Sequence, residues 1–354
     1  MLPALVWKRL HRAQSLREST LPKLTLKVIK HALYWPNIFT GVDSLQCWDL
    51  IIVGAGPAGL TAGIYGARTG IKTLIIEKGV AGGVVAEAPF VENYPGFPEG
   101  IKGADLAKKM VEQTRLTGAT ISEFEEVTEL NLEGPDKNVR TSKAFYQTPA
   151  LIIATGCTHK HLGVPGEEEF LGRGVSYCAV CDGPLFKKKK VLVVGGGNTA
   201  VSSSMYLSNI ASEVKLAHRR KQLRVGEVAS RELADKGVKL LWNTEIKTIL
   251  GEGVVKSVVL YDNETCETRE IEVDGVFIQV GEDPNSQVVR KAGIKVDEQG
   301  YIEVDSSQKT NIEGVYACGD VTMCQEKQIG TAVGQGIVAA LGAFGYVKNP
   351  YYRV

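Results

Sequence analysis

Apolar positions in this chain gather into short β-rich runs rather than spreading evenly. Short runs of this kind stand at 49–53 ("DLIIV"), 73–77 ("TLIIE"), 150–153 ("ALII"), 191–194 ("VLVV"), 213–218 ("EVKLAH") and 314–318 ("GVYAC"). Their length and β-branched content predict strands. From about 120 to 150 and from 238 to 273, shorter runs alternate apolar and polar residues and predict further strands. The segment "IGTAVGQGIVAALGAFG" (329–345) predicts a long apolar helix. Proline and glycine cluster in "GVPGEEE" (163–169) and "GEDPN" (281–285), which are the expected hinges.

Two of these strands enter a glycine turn that opens a helix. The first turn reads Gly54-x-Gly56-x-x-Gly59 and the second Gly195-x-Gly197-x-x-Ala200. In such a turn the first glycine permits a tight bend, and the second lets backbone approach a pyrophosphate. The third small residue lets helix pack closely on strand. The anion then meets free N–H groups at the helix N-terminus. Gly54 to Gly195 and Glu77 to His218 are both offsets of 141 residues, so strand, turn, helix and second strand all repeat. The repetition predicts two dinucleotide sites.

The ends of the second strands separate the two ligands. Glu77 ends the first, where a carboxylate accepts ribose hydroxyls and repels a 2′-phosphate. The second ends in His218-Arg219-Arg220, with Arg224 a turn later. Guanidinium forks suit a phosphate, so NADP is expected there rather than NAD. Asp320, after the strand at 314–318, could bind a polyol hydroxyl such as the ribitol of a flavin, or could cap a helix. Sequence after residue 281 then belongs with the first module.

The predicted fold is therefore α/β, with two Rossmann-like dinucleotide-binding domains and the NADPH domain inserted into the FAD domain. The expected divisions are an N-terminal extension at 1–47, a first FAD-domain part at 48–163, the NADPH domain at 164–282 and a second FAD-domain part at 283–354.

Composition narrows the class of function. A chain of 354 residues with 44% apolar and 23% charged content has the balance of a soluble globular protein. A net charge of +1 argues against a dedicated nucleic-acid binder. Seven scattered cysteines do not form a secreted disulfide framework and point to a reducing, cytoplasmic compartment. No apolar run was expected to span a membrane. Residues 1–47 carry seven Lys and Arg against Glu18 and Asp43. That composition suits a mitochondrial targeting segment, a disordered tail or translation from an upstream start.

"SYCAVCDG" (176–183) holds Cys178 and Cys181, two residues apart, with Asp182 following. A zinc clamp with His159 and His161, an inert buried pair and a redox dithiol are the three readings. The pair lies just before the NADP turn and after the flavin-like module. That order suits an electron route from nicotinamide through flavin to a dithiol, with Asp182 as a proton donor to a released thiolate. Pro184 disfavours helical backbone at Gly183, so only a short helix is expected here. The lysines at 187–190 are a solvated loop or a steering patch for an acidic partner.

"VGAGPAGLTAGIY", "VENYPG", "IIATG", "CAVCDG", "GGGNTAV", "YLSNIASEV", "HRR" and "ACGDV" occur in this order between about 48 and 346. In them the chain resembles the low-molecular-weight thioredoxin reductases, whose cysteine pair lies in the NADPH domain. The resemblance implies thioredoxin or a thioredoxin-like protein as partner, non-covalent FAD, NADPH and a homodimer whose domains rotate against each other. It implies that Cys181 faces the flavin, that Cys178 attacks the partner disulfide and that Asp182 is the acid. Asn93, Thr155, Gly319, Asp320, Lys327 and Gln328 would surround the flavin. Asn198 and Thr199 would join Gly195 and Gly197 at NADPH, and no metal is implied. Val84, the serines at 202–204 and Lys327 depart from residues common in the family. A flavin-dependent redox sensor, or a reductase of another protein disulfide, is the alternative.

Overall fold

The apolar runs become strands, and Leu50–Val53, Thr73–Ile76, Ala150–Ile153 and Val315–Ala317 have no solvent-facing side, the condition of a parallel sheet covered on both faces. The structure is a computed structural model and describes residues 45–348 apart from Gly226 and Gln325. The targeting, tail and upstream-start readings of the N-terminal extension lie almost wholly outside the described residues. Of that extension, Gln46–Cys47 forms an edge strand paired in parallel with Tyr146 and Gln147.

The first five-stranded sheet has the order Val315–Ala317, Ala150–Ile153, Leu50–Val53, Thr73–Ile76, Thr120–Ser122, every pair parallel. Helix α1 (Pro57–Arg68) follows the central strand, with Pro57 in the first turn, where a missing N–H costs nothing. Helix α2 (Gly103–Leu116) packs on the same side. Leu50, Ile52, Leu60, Ile75 and Ile152 form the core on this face. Ile51, Val53, Leu74, Ile76, Leu151 and Ile153 fill the other face, against Leu130, Val139 and Tyr146 of a small antiparallel meander. The meander strands are Val127–Asn131, Lys137–Thr141 and Phe145–Thr148.

The second five-stranded sheet is built from residues between 175 and 279 alone. Its order is Val175–Ser176, Gly275–Gln279, Lys190–Gly195, Glu213–Ala217, Lys239–Leu241, again all parallel. Helix α3 (Ala179–Asp182) is a single turn, α4 (Asn198–Ser208) follows the glycine turn and α5 (Glu227–Asp235) precedes the edge strand. An antiparallel meander of Thr244–Glu252, Val254–Asp262 and Thr268–Glu272 covers one face. Turn, helix, meander and the order of four strands therefore repeat, whereas the outermost strand comes from the chain after the module in the first sheet and from before it in the second.

The chain leaves the first sheet along Cys157–His159 and returns along Glu282–Pro284, and these two strands pair antiparallel. The inserted body thus hangs on a two-stranded ribbon. Helix α6 (Gln287–Lys291) lies beyond it. The closing helix α7 (Ile329–Lys348) has the length and hydropathy of a membrane span, contrary to the sequence-based expectation. Part of its apolar surface is buried in this fold. Ala332, Ala339, Ala340 and Ala343 are buried in the core shared with α1, and Gly336 lies so close to the Ala58 backbone that a Cβ would stand 2.4 Å from its oxygen.

Candidate active site

The first glycine turn is shaped by steric demands at two positions and left open at the third. Gly54 has φ +104°, and a Cβ there would lie 2.3 Å from the Ala154 oxygen. A Cβ on Gly59 would lie 1.9 Å from the Gly54 oxygen. Gly56 has only the Gly83 Cα, at 3.8 Å, within reach. No side chain caps α1, so its first N–H groups remain free for an anion. Glu77 accepts from Ala55 N at 2.8 Å and from Gly79 N at 2.9 Å, one on each oxygen. Each oxygen keeps a lone pair for a ribose hydroxyl. The residues present fit the adenosine and pyrophosphate of FAD.

The second turn has the same build. A Cβ on Gly195 would lie 2.3 Å from the Gln279 oxygen, whereas one on Gly197 would meet only the Arg224 guanidinium, at 3.3 Å. Asn198 and Thr199 are exposed at the uncapped start of α4. Arg219, Arg220 and Arg224 are exposed beside it, while His218 is 7% exposed with its Nε2 unpartnered among the described residues. Burial pushes the His218 ring below its ordinary pKa, and Arg220 and Arg224 add to the effect. A concentration of guanidinium groups without an ion-pair partner among the described residues, at such a turn, fits the extra phosphate of NADPH.

Between the two turns lies the cysteine pair, closed as a Cys178–Cys181 disulfide. Cys178 caps α3, its Sγ accepting from Cys181 N at 3.2 Å. Gly183 is helical (φ −51°, ψ −41°) despite preceding Pro184, and a 3-10 turn continues to Phe186. The pre-proline clash falls partly on a Cβ, and glycine has none. Burial raises the Asp182 carboxyl above its usual range, and Glu92 adds to this against a hydrogen bond from Ser176. Cys181 points to the first sheet's side of the molecule. Gln328 Nε2 stands 4.0 Å from its sulfur, and Gln328 Oε1 accepts from Asn93 Nδ2 at 3.1 Å. Asn93, Gln328 and Cys181, remote in sequence, are thus neighbours.

The remaining flavin-side candidates are tied to the ribbon. Thr155 donates to the Asn285 oxygen at 2.7 Å. Lys327 reaches Glu282 at 2.5 Å and Tyr301 at 2.6 Å. Burial and the nearby Glu282 push Asp320 up to about 6. Burial opposes ionisation of Glu282, but His159 and Lys327 hold it at about 2. Gly319 has φ +76° and donates its N–H to Gln335. His159 stacks on Tyr177 at 5.0 Å and pairs with Glu282, while His161 meets the Tyr177 hydroxyl at 2.8 Å. Both histidines are therefore engaged away from the cysteines. Ser176, Tyr177 and Glu282 were not singled out from sequence, and only the position of Ser176 two residues before the pair offered a signal.

The family model for pyridine nucleotide-disulphide oxidoreductases matches residues 48–336. A thioredoxin reductase of Bacillus subtilis is 44% identical over 307 residues, covering 86% of this chain and 96% of its own. The chain belongs to this family, among its thioredoxin reductases. FAD and NADPH are the cofactors of these enzymes, and both glycine turns fit them. The crystal structure of the thioredoxin reductase from Streptococcus pyogenes matches with a TM-score of 0.82 at 39% identity, covering 86% of this chain and 99% of its own. The Lactococcus lactis thioredoxin reductase in its FR conformation is 40% identical and covers 85% and 99%, yet its TM-score is 0.58. Equal identity with unequal superposition is the signature of two rigid bodies arranged differently.

Proposed function

We propose that this chain is an NADPH-dependent thioredoxin-disulfide reductase that works through the Cys178–Cys181 pair. The observation that carries the reading is a closed disulfide lying between two dinucleotide turns, with Cys181 directed toward the flavin-side residues Asn93 and Gln328. Bound FAD would take a hydride from NADPH and deliver two electrons to this disulfide. Cys181 is the sulfur placed to receive them, and Cys178 is then the thiol left to attack the partner's disulfide. Asp182, held protonated more readily by burial, supplies a proton to the thiolate released. Gly54, Gly56, Gly59 and Glu77 would hold the adenosine end of FAD, with Asn93, Thr155, Gly319, Asp320, Lys327 and Gln328 around its other half. Gly195, Gly197, Asn198, Thr199, His218, Arg219, Arg220 and Arg224 would hold NADPH.

The same reading assigns the divisions 48–163 and 283–354 to the FAD domain and 164–282 to the NADPH domain. It takes the working form to be a homodimer and the compartment to be a reducing cytoplasm, the latter in keeping with five cysteines outside any disulfide. The test is consumption of NADPH by the flavin-loaded protein in the presence of oxidised thioredoxin. Turnover should fall by several orders of magnitude in Cys178→Ser and in Cys181→Ser, because one thiol cannot replace a dithiol. Retained turnover in either variant refutes the assignment.

A further inference from the structure

Asp182 must change protonation in a half-buried site, so its hydrogen-bond partner matters in both states. That partner is Ser176, which is 3% exposed at the end of the strand Val175–Ser176. Its Oγ stands 2.6 Å from Asp182 Oδ2, 3.2 Å from the Cys178 oxygen and 3.0 Å from the Cys178 nitrogen. A hydroxyl has one hydrogen and two acceptor positions. The three contacts can therefore be filled in two ways.

With Asp182 ionised, the Ser176 hydrogen points at Oδ2 while Oγ accepts the Cys178 N–H. With Asp182 protonated, the acid donates to Oγ, which still accepts the Cys178 N–H and turns its own hydrogen to the Cys178 oxygen. Neither state leaves a buried polar group unpaired, a failure that would otherwise oppose each proton transfer. The geometry assigns Ser176 as a positioning residue that reverses its hydrogen bond to Asp182 and so lets the acid hold or give up its proton beside Cys178. This inference rests on the proposed role of Asp182, and it goes further by naming how that role is sustained. Ser176→Ala removes a neutral hydrogen bond from the protonated acid but a stronger, charge-assisted one from the carboxylate, so Asp182 should bind its proton more tightly.

The experiment uses the full-length flavin-loaded protein and follows the infrared carbonyl band of protonated Asp182 as pH is varied, the band being assigned by its loss in Asp182→Asn. In Ser176→Ala the ratio of protonated to ionised acid should rise about tenfold at a fixed pH on the titration curve. The pH profile of thioredoxin turnover should move upward with it. Ser176→Cys, whose thiol is a weaker donor, should fall between the two and serves as the reading if the alanine protein does not fold. An Asp182 titration unchanged in Ser176→Ala overturns the inference, and so does a cysteine variant indistinguishable from wild type if that variant must be used. The reading of Asp182 itself fails separately, if Asp182→Asn retains full thioredoxin turnover.

Discussion

At the scale of single residues, charge and burial set what each group near the turns can do. Arg219 and Arg220 stand exposed at the mouth of the second turn, where their forks have room for a phosphate. Replacing both with Ala should raise the Michaelis constant for NADPH about 10- to 100-fold while barely moving that for NADH. Steady-state kinetics with the two nucleotides checks this, and equal losses with both would refute the phosphate assignment. Asp182 makes a second case, in stability. Its carboxyl is raised by burial above the value it would have in the unfolded chain. The group therefore favours folding below the ordinary carboxylate range, and that contribution is lost as pH rises through the folded-state value. Asn at this position does not titrate. Asp182→Asn should melt at a higher temperature than wild type at neutral pH, and the difference should vanish in acid as pH falls to the unfolded carboxyl's range. A melting difference independent of pH would show that burial of the charge is not its source.

At the scale of elements, the same glycine motif contains positions with opposite consequences. A Cβ on Gly59 would press against the Gly54 oxygen, so α1 could no longer lie against its strand. Gly59→Ala should cost about 3 kcal/mol of stability, measured by chemical denaturation. Gly56 has φ −78°, which any residue adopts, and no close neighbour. Gly56→Ala should change stability by less than about 1 kcal/mol yet weaken FAD binding at least tenfold, because the methyl intrudes where the pyrophosphate would pass. Loss of flavin without loss of stability is the pattern that dialysis and calorimetry should find. These glycines were legible in sequence because a turn between strand and helix is a local event, fixed by a few consecutive residues. Of the two Pro and Gly clusters, 281–285 falls on the returning strand Glu282–Pro284, whereas 163–169 lies beyond the leaving strand Cys157–His159. The crossover itself was not legible, since the pairing of Cys157–His159 with Glu282–Pro284 joins segments over 100 residues apart. Glu282 illustrates the limit: its partners Cys157, His159 and Lys327 come from two other segments, and no spacing rule links them. The long helix α7 was legible as apolar, but that its small residues pack on α1 is revealed only by the fold.

At the scale of the molecule, the two bodies make a specific approach that brings Cys181 to Gln328. The likeness to the Streptococcus pyogenes enzyme, and the poorer superposition on the Lactococcus lactis enzyme in its FR conformation, indicate that another arrangement is open to this family. A reductase needs both, since a disulfide pressed against the flavin side cannot also meet a protein partner. Gly172 marks where the bodies touch in the present arrangement. A Cβ there would lie 1.9 Å from Cγ of Pro89, which belongs to the loop following the first sheet's Gly82-Gly83 turn. Gly172 has φ +69°, a conformation that Asn tolerates better than most residues. Gly172→Asn should therefore add a steric wedge between the bodies with little backbone strain, and shift the population away from the disulfide-inward form. After reduction, Cys178 in this variant should react with iodoacetamide several-fold faster than in wild type. Adding Pro89→Gly removes the ring that the wedge meets, and the double variant should return toward the wild-type rate. If Gly172→Asn leaves the rate unchanged, the contact does not govern the balance of arrangements. If the double variant reacts as fast as the single one, the effect arises from local strain at Gly172 rather than from the separation of the two bodies.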